Sequence, residues 1–130
     1  MGDIGVMLYG FDGSSAEMIK EHIERNLGSS IILISGSGKE QESVLSILED
    51  EEHSFFEDKI DPKVVMFLGF DGPMIHRVMD SFPGSEEMQR PIFCTPTDQN
   101  IHWKLHALLE DLMEEREYFR RRAEEGGASP

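Results

Sequence analysis

Asp12 and Asp71 are the residues whose setting first suggests chemistry. Each sits in the same eight-residue phrase: Val6–Gly13 reads VMLYGFDG and Val65–Gly72 reads VMFLGFDG, six of eight positions alike and 59 residues apart. Two carboxylates at helix entrances can hold a divalent cation such as Mg²⁺ through oxygen ligands and water. The plainer reading is that each Asp caps a helix and that Gly13 and Gly72 permit the turn. Amide groups at the same helix starts could hold a phosphate. Yet no G-x-x-x-x-G-K-[ST] phrase is present, no G-x-G-x-x-G follows the first apolar run, and the aspartate itself is an anion. A ligand site here would draw on Asp12, Gly13, Asp71 and Gly72, with Asp12 and Asp71 as weak metal candidates.

A second polar cluster, Thr95-Pro96-Thr97-Asp98-Gln99-Asn100, follows an apolar run and precedes Trp103. Loops in that position often carry function, so Thr95, Thr97, Asn100 and Trp103 join the candidate ligand site. Thr97 or Asp98 could equally cap the next helix, and Trp103 could pack on it. His102, His106 and Glu110 stand four apart, a helical spacing that permits a metal. Trp103 stands where H-E-x-x-H needs glutamate. Cys94 would need a histidine such as His76 beside it to become a nucleophile; otherwise it is a small buried side chain. No G-x-S-x-G elbow occurs. A receiver-like phosphorelay site would need an acidic pair and a late lysine, and Thr95 stands where that lysine belongs. Nucleophile, base and oxyanion donors do not come together, so no catalytic residue is assigned and no cofactor is implied.

The charge sets the partner class. Twenty-six acidic residues against twelve basic ones give a net charge of −14, a field that repels nucleic acid and anionic membranes. Protein partners, self-association and small molecules remain compatible. Cys94 is the single cysteine, so no internal disulfide forms, and the amino terminus has no basic region before its apolar run. Both features point to the cytoplasm.

The elements that would position these residues alternate. Short apolar runs at Ile4–Tyr9, Ile31–Ile34, Val64–Leu68 and Pro91–Cys94 read as buried strands. Helical spacing follows each: Met18 to Leu27 after a cap at Ser14 or Ser15; Val44 to Leu48, fraying toward Phe55 and Phe56; Met74 to Phe82 up to Pro83-Gly84; and a long stripe from Ile101 to Phe119. A second similarity sets Ile31–Asp50 over Ile92–Asp111, at an offset of 61. The expected fold is one α/β domain over 1–125, built from two β-α-β-α repeats (about 4–60 and 64–125), with a disordered tail at 126–130. Its expected core is a small parallel four-stranded sheet of order 2-1-3-4, helices on both faces, and a long C-terminal helix. That order would put both GFDG loops side by side at the carboxyl ends of the central strands, where open α/β sheets bind ligands.

Gly69-Phe70, Thr95-Pro96-Thr97, Asn100, Trp103, Leu108-Leu109 and Glu114 together resemble a small prokaryotic family, the domain of unknown function 3783. The resemblance covers the second half, about 64–119, with the first half as a diverged copy. It implies no activity and transfers no catalytic residue. The expected function is a non-catalytic protein-interaction or self-associating module. The alternative is a small-ligand or metal site at the GFDG loops.

Overall fold

The computed structural model describes residues 4–82 and 91–128. Its four strands are β1 (Gly5–Tyr9), β2 (Ile32–Ser35), β3 (Val64–Leu68) and β4 (Ile92–Cys94). The helices are α1 (Gly13–Leu27), α2 (Val44–Glu49), α3 (Gly72–Ser81) and α4 (Leu105–Ala128), with a single 3-10 turn at Asn100–His102 before the last. The Pro83-Gly84 stop lies outside the described residues. The first helix is capped by Asp12 rather than by Ser14 or Ser15. The second does not reach Phe55: it ends at Glu49, capped by Asp50. The last continues through Gly126 to Ala128, where a tail was expected; extending a formed helix adds one hydrogen bond per residue fixed, so glycine alone does not end it.

The strand order is β2-β1-β3-β4, as expected. The direction is not. β1–β2 and β3–β4 are parallel, but β1 and β3 run antiparallel, so the sheet is mixed. A duplicated unit can be joined about a twofold along the strands, which makes the central neighbours parallel. It can also be joined about a twofold perpendicular to the sheet, which makes them antiparallel. Buried apolar runs read the same in both cases.

The register shows which axis operates. Met7 faces Met66, its own counterpart in the repeat, with Val6 opposite Phe67 and Leu8 opposite Val65. The axis emerges again between the starts of α2 and α4. There Ser43 bridges its counterpart Lys104. The amide of Val44 donates to the Trp103 carbonyl and that of Leu105 to the Glu42 carbonyl, both at 2.9 Å. Two hydrogen bonds thus recur across one pseudo-twofold. They also correct the alignment of the second strands. Ile32 N–H donates to Ile4 and Ile92 N–H to Lys63, so the offset there is 60, not 61, and Ser35 matches Thr95.

Alternation along the strands gives each face its own core. Val6, Leu8, Val65 and Phe67 meet Ala16, Ile19 and Ile23 of α1 and Val78 of α3. Met7, Tyr9, Val64 and Met66 meet Val44 and Ile47 of α2 and Leu105, Leu108 and Leu109 of α4. The direction of β3 is set by the segment before it. Lys59 N–H donates to the Gly10 carbonyl at 3.0 Å. The Lys63 ammonium donates to the same carbonyl at 2.8 Å, to Asp58 at 2.8 Å and to the Lys59 carbonyl. These contacts hold the chain at the carboxyl end of β1, so β3 must start there. Gly10 has φ of 89° and a Cβ on it would lie 2.5 Å from the Pro62 carbonyl, so the close approach requires glycine.

One ion pair ties this joint to α4: Arg116 donates to both oxygens of Asp61, at 2.9 and 2.8 Å. The Arg116 guanidinium holds the Asp61 carboxyl below its usual value. A lowered carboxylate pKa stabilises the fold above the unfolded value near 4, and that contribution fades as pH falls through the folded value. A double-mutant cycle of Asp61→Asn and Arg116→Ala should give a coupling of about 0.5–1 kcal/mol at pH 7, shrinking toward zero as the pH falls through the lowered folded-state value. Met66→Ala, at the axis, should cost about 2–5 kcal/mol by denaturant unfolding.

Candidate functional site

Antiparallel central strands send the two GFDG loops to opposite ends of the sheet. Tyr9 pairs with Val64 and Leu68 with Gly5, so the strand ends that launch the loops lie about 13 Å apart along the ladder. Asp12 and Asp71 therefore share no cleft. Each carboxylate is committed to its own helix: Asp12 Oδ1 accepts the Ser15 amide at 2.7 Å and Asp71 Oδ1 accepts the Met74 amide at 2.9 Å. The Ser15 hydrogen bonds hold the Asp12 pKa down. The turn glycine of each phrase is the first, not the second: Gly10 and Gly69 have φ of 89° and 76°, while Gly13 and Gly72 begin helices with open space around them.

Each half has instead its own carboxyl end. Gly10–Asp12 lies beside Ser35-Gly36-Ser37, and Gly69–Asp71 lies on the side of Thr95-Pro96-Thr97. In the second half Thr97 and Asn100 cap one another. The Thr97 amide donates to Asn100 Oδ1 at 2.7 Å and the Asn100 amide to Thr97 Oγ1 at 3.0 Å. That reciprocal turn starts the Asn100–His102 3-10 segment, and Trp103 then leaves it in extended conformation to reach the axis. Trp103 is 38% exposed, against Ala107, Asp111 and Glu114 of α4.

This break removes the histidine pair. His102 lies in the 3-10 turn and His106 in α4, on either side of the bridging Lys104, so the four-residue spacing does not run along one helix. His106 faces Glu110 at 3.9 Å. Among the described residues no group of three His, Cys, Asp or Glu side chains could hold a metal. Cys94 packs in the α2/α4 layer, whereas His76 is on α3 across the sheet. Burial, with Glu115 adding repulsion, pushes the Cys94 thiol up to about 12. It stays protonated at neutral pH and is no nucleophile.

Sequence reasoning missed Lys63, which carries the joint, and the paired hydroxyls. At an offset of 60, Ser35 and Ser37 fall on Thr95 and Thr97; the hydroxyl-x-hydroxyl phrase was present, hidden by a one-residue slip. Asp12→Ala and Asp71→Ala should each cost about 1 kcal/mol and add within about 0.5 kcal/mol. Marked non-additivity in urea unfolding would mean that the two carboxylates communicate.

No helix among the described residues is long and apolar enough to cross a membrane. No curated protein and no solved structure matches the chain significantly. Residues 63–119 match the family model described as Domain of unknown function (DUF3783). The match starts at the foot of β3 and ends at Phe119 on α4, so it spans one structural repeat. Residues 63–119 are a DUF3783 domain.

Proposed function

We propose that this is a non-catalytic cytoplasmic module that associates with a second copy of itself through α4. The observation that carries the reading is the distal half of that helix. At 24 residues α4 is about 36 Å long, twice the span of a five-residue strand, so it outreaches the sheet. Its apolar stripe does not stop with the sheet. Leu112 and Phe119 line a groove of about 400 Å³ against Pro91, Ile92 and Phe93, and Phe119 is 58% exposed.

The charge order in the middle of the helix is compatible with a second copy as the partner. Glu114, Glu115 and Glu117 precede Arg120, Arg121 and Arg122. An antiparallel pair of such helices sets acid against base on both sides of a twofold, the self-complementary arrangement of an isologous dimer. The same order makes a parallel pair repulsive. Sedimentation velocity should show a dimer. Phe119→Glu should weaken association at least tenfold while leaving the unfolding midpoint of the monomer unchanged. A monomer across the micromolar range, insensitive to truncation after Glu115, would refute the reading.

A further inference from the structure

The pseudo-twofold lets one half be used as a template for the other. In the first half the crevice at the carboxyl ends of β1 and β2 is covered by the chain itself. Segment 53–59, without regular secondary structure, crosses it with contacts at every second residue. The Ser35 hydroxyl donates to the Phe55 carbonyl, the Glu57 amide to Ser37 Oγ at 3.1 Å, and the Lys59 amide to the Gly10 carbonyl at 3.0 Å. Phe56, between the first two contacts, packs on the core layer that holds Leu8, Ala16 and Leu33. Under this cover Gly10, Phe11, Ser35, Gly36 and Ser37 are all buried.

The second half repeats the crevice with no such cover among the described residues. Gly69, Thr95 and Thr97 are the counterparts of Gly10, Ser35 and Ser37, and all three are exposed. Beside them opens a pocket of about 250 Å³ lined by Phe67, Ile75, Met79, Phe93, Cys94 and Thr95. Shifted by the repeat, that lining becomes Leu8, Ala16, Lys20, Leu33, Ile34 and Ser35, of which Leu8, Ala16 and Leu33 belong to the layer on which Phe56 packs. The pocket is smaller than the roughly 300–1,000 Å³ of small-molecule sites, and its size suits one side chain. Phe67 and Phe93 stack with centroids 5.8 Å apart, and Met79 adds a polarisable sulfur, a lining that favours an aromatic ring.

We infer that the crevice at the carboxyl ends of β3 and β4 binds an extended segment of another protein. One aromatic side chain enters the Phe67–Phe93 pocket, and the flanking main chain bonds to Thr95, Thr97 and the Gly69 carbonyl. Main-chain bonds with one side-chain pocket are a recurring mode of peptide recognition. Charge separates this partner from the chain's own segment. Segment 53–59 (HSFFEDK) carries Glu57 and Asp58 and comes after Glu51 and Glu52. Lys39 sits beside it, donating to the Glu52 carbonyl at 3.0 Å. At the second crevice Lys39 is replaced by Gln99 and Lys20 by Met79, while Asp71 and Asp98 are exposed on the rim. The segment is therefore neutral or basic, not an acidic one from a second copy. Thr97 Oγ1 already accepts the Asn100 amide, and a hydroxyl oxygen has room for a second bond.

The test is an NMR titration of the full chain, independent of the α4 reading. The probe is a peptide with the sequence of residues 53–59 carrying Glu57→Gln and Asp58→Asn. Binding with Kd below about 1 mM should move the amides of Gly69, Phe70, Thr95 and Thr97 and leave those of Gly10, Ser35 and Ser37 in place. A peptide that also carries Phe56→Ala should bind at least tenfold more weakly. Met79→Trp, filling the pocket, should abolish binding, and Thr95→Ala, at an exposed position, should weaken it with the fold intact. No shifts at about 1 mM peptide, shifts at Ser35 and Ser37 or along α4 instead, or equal binding of the alanine peptide would each overturn the inference.

Discussion

The antiparallel pairing of β1 with β3 governs everything else in this molecule. Met7 lies against Met66, each fully buried, and that register dictates the axis, the layers and the ends. A twofold perpendicular to the sheet keeps faces and exchanges ends. So α1 and α3 share one face, α2 and α4 the other, and the GFDG loops that look like a pair in sequence are driven apart. Had the axis run along the strands, Asp12 and Asp71 would be neighbours, and α1 would share its face with α4 and α2 with α3.

The repeated phrase, the four strands, their order and the long final helix were all readable from the amino-acid sequence, because apolar runs and helical spacing are local signals. The direction of β3 was not. It depends on contacts between Lys59, Lys63 and the carbonyl of Gly10, and polar residues in a joint carry no period that reveals such anchoring. The His102–His106 spacing misled for a related reason. The Thr97–Asn100 turn and the bridge at Lys104 break the helix between them, and the break answers to a partner strand of chain 61 residues away. The capping role of Asp12 and Asp71 was legible, being a matter of three residues. The hydroxyl pairs were legible too, at the correct offset.

The two halves differ most beyond their second strands. After β2 the chain makes a six-residue helix and then spends 14 residues returning to β3. After β4 it makes α4, with no return to the sheet among the described residues. The long helix and the long joint are alternative uses of the same place in the repeat. Arg116 on the helix meets Asp61 on the joint, so the two divergent parts of the duplication are tied to each other.

The joint has a further consequence in terms of concentration. A segment linked to its own crevice through a short tether meets it at an effective concentration in the millimolar range. It stays bound through contacts that would be weak between separate molecules. Gly10, Ser35 and Ser37 are thus saturated from the moment the chain folds, whatever else is dissolved around them. Duplication of the unit leaves its descendant with one crevice turned into architecture and one left open among the described residues.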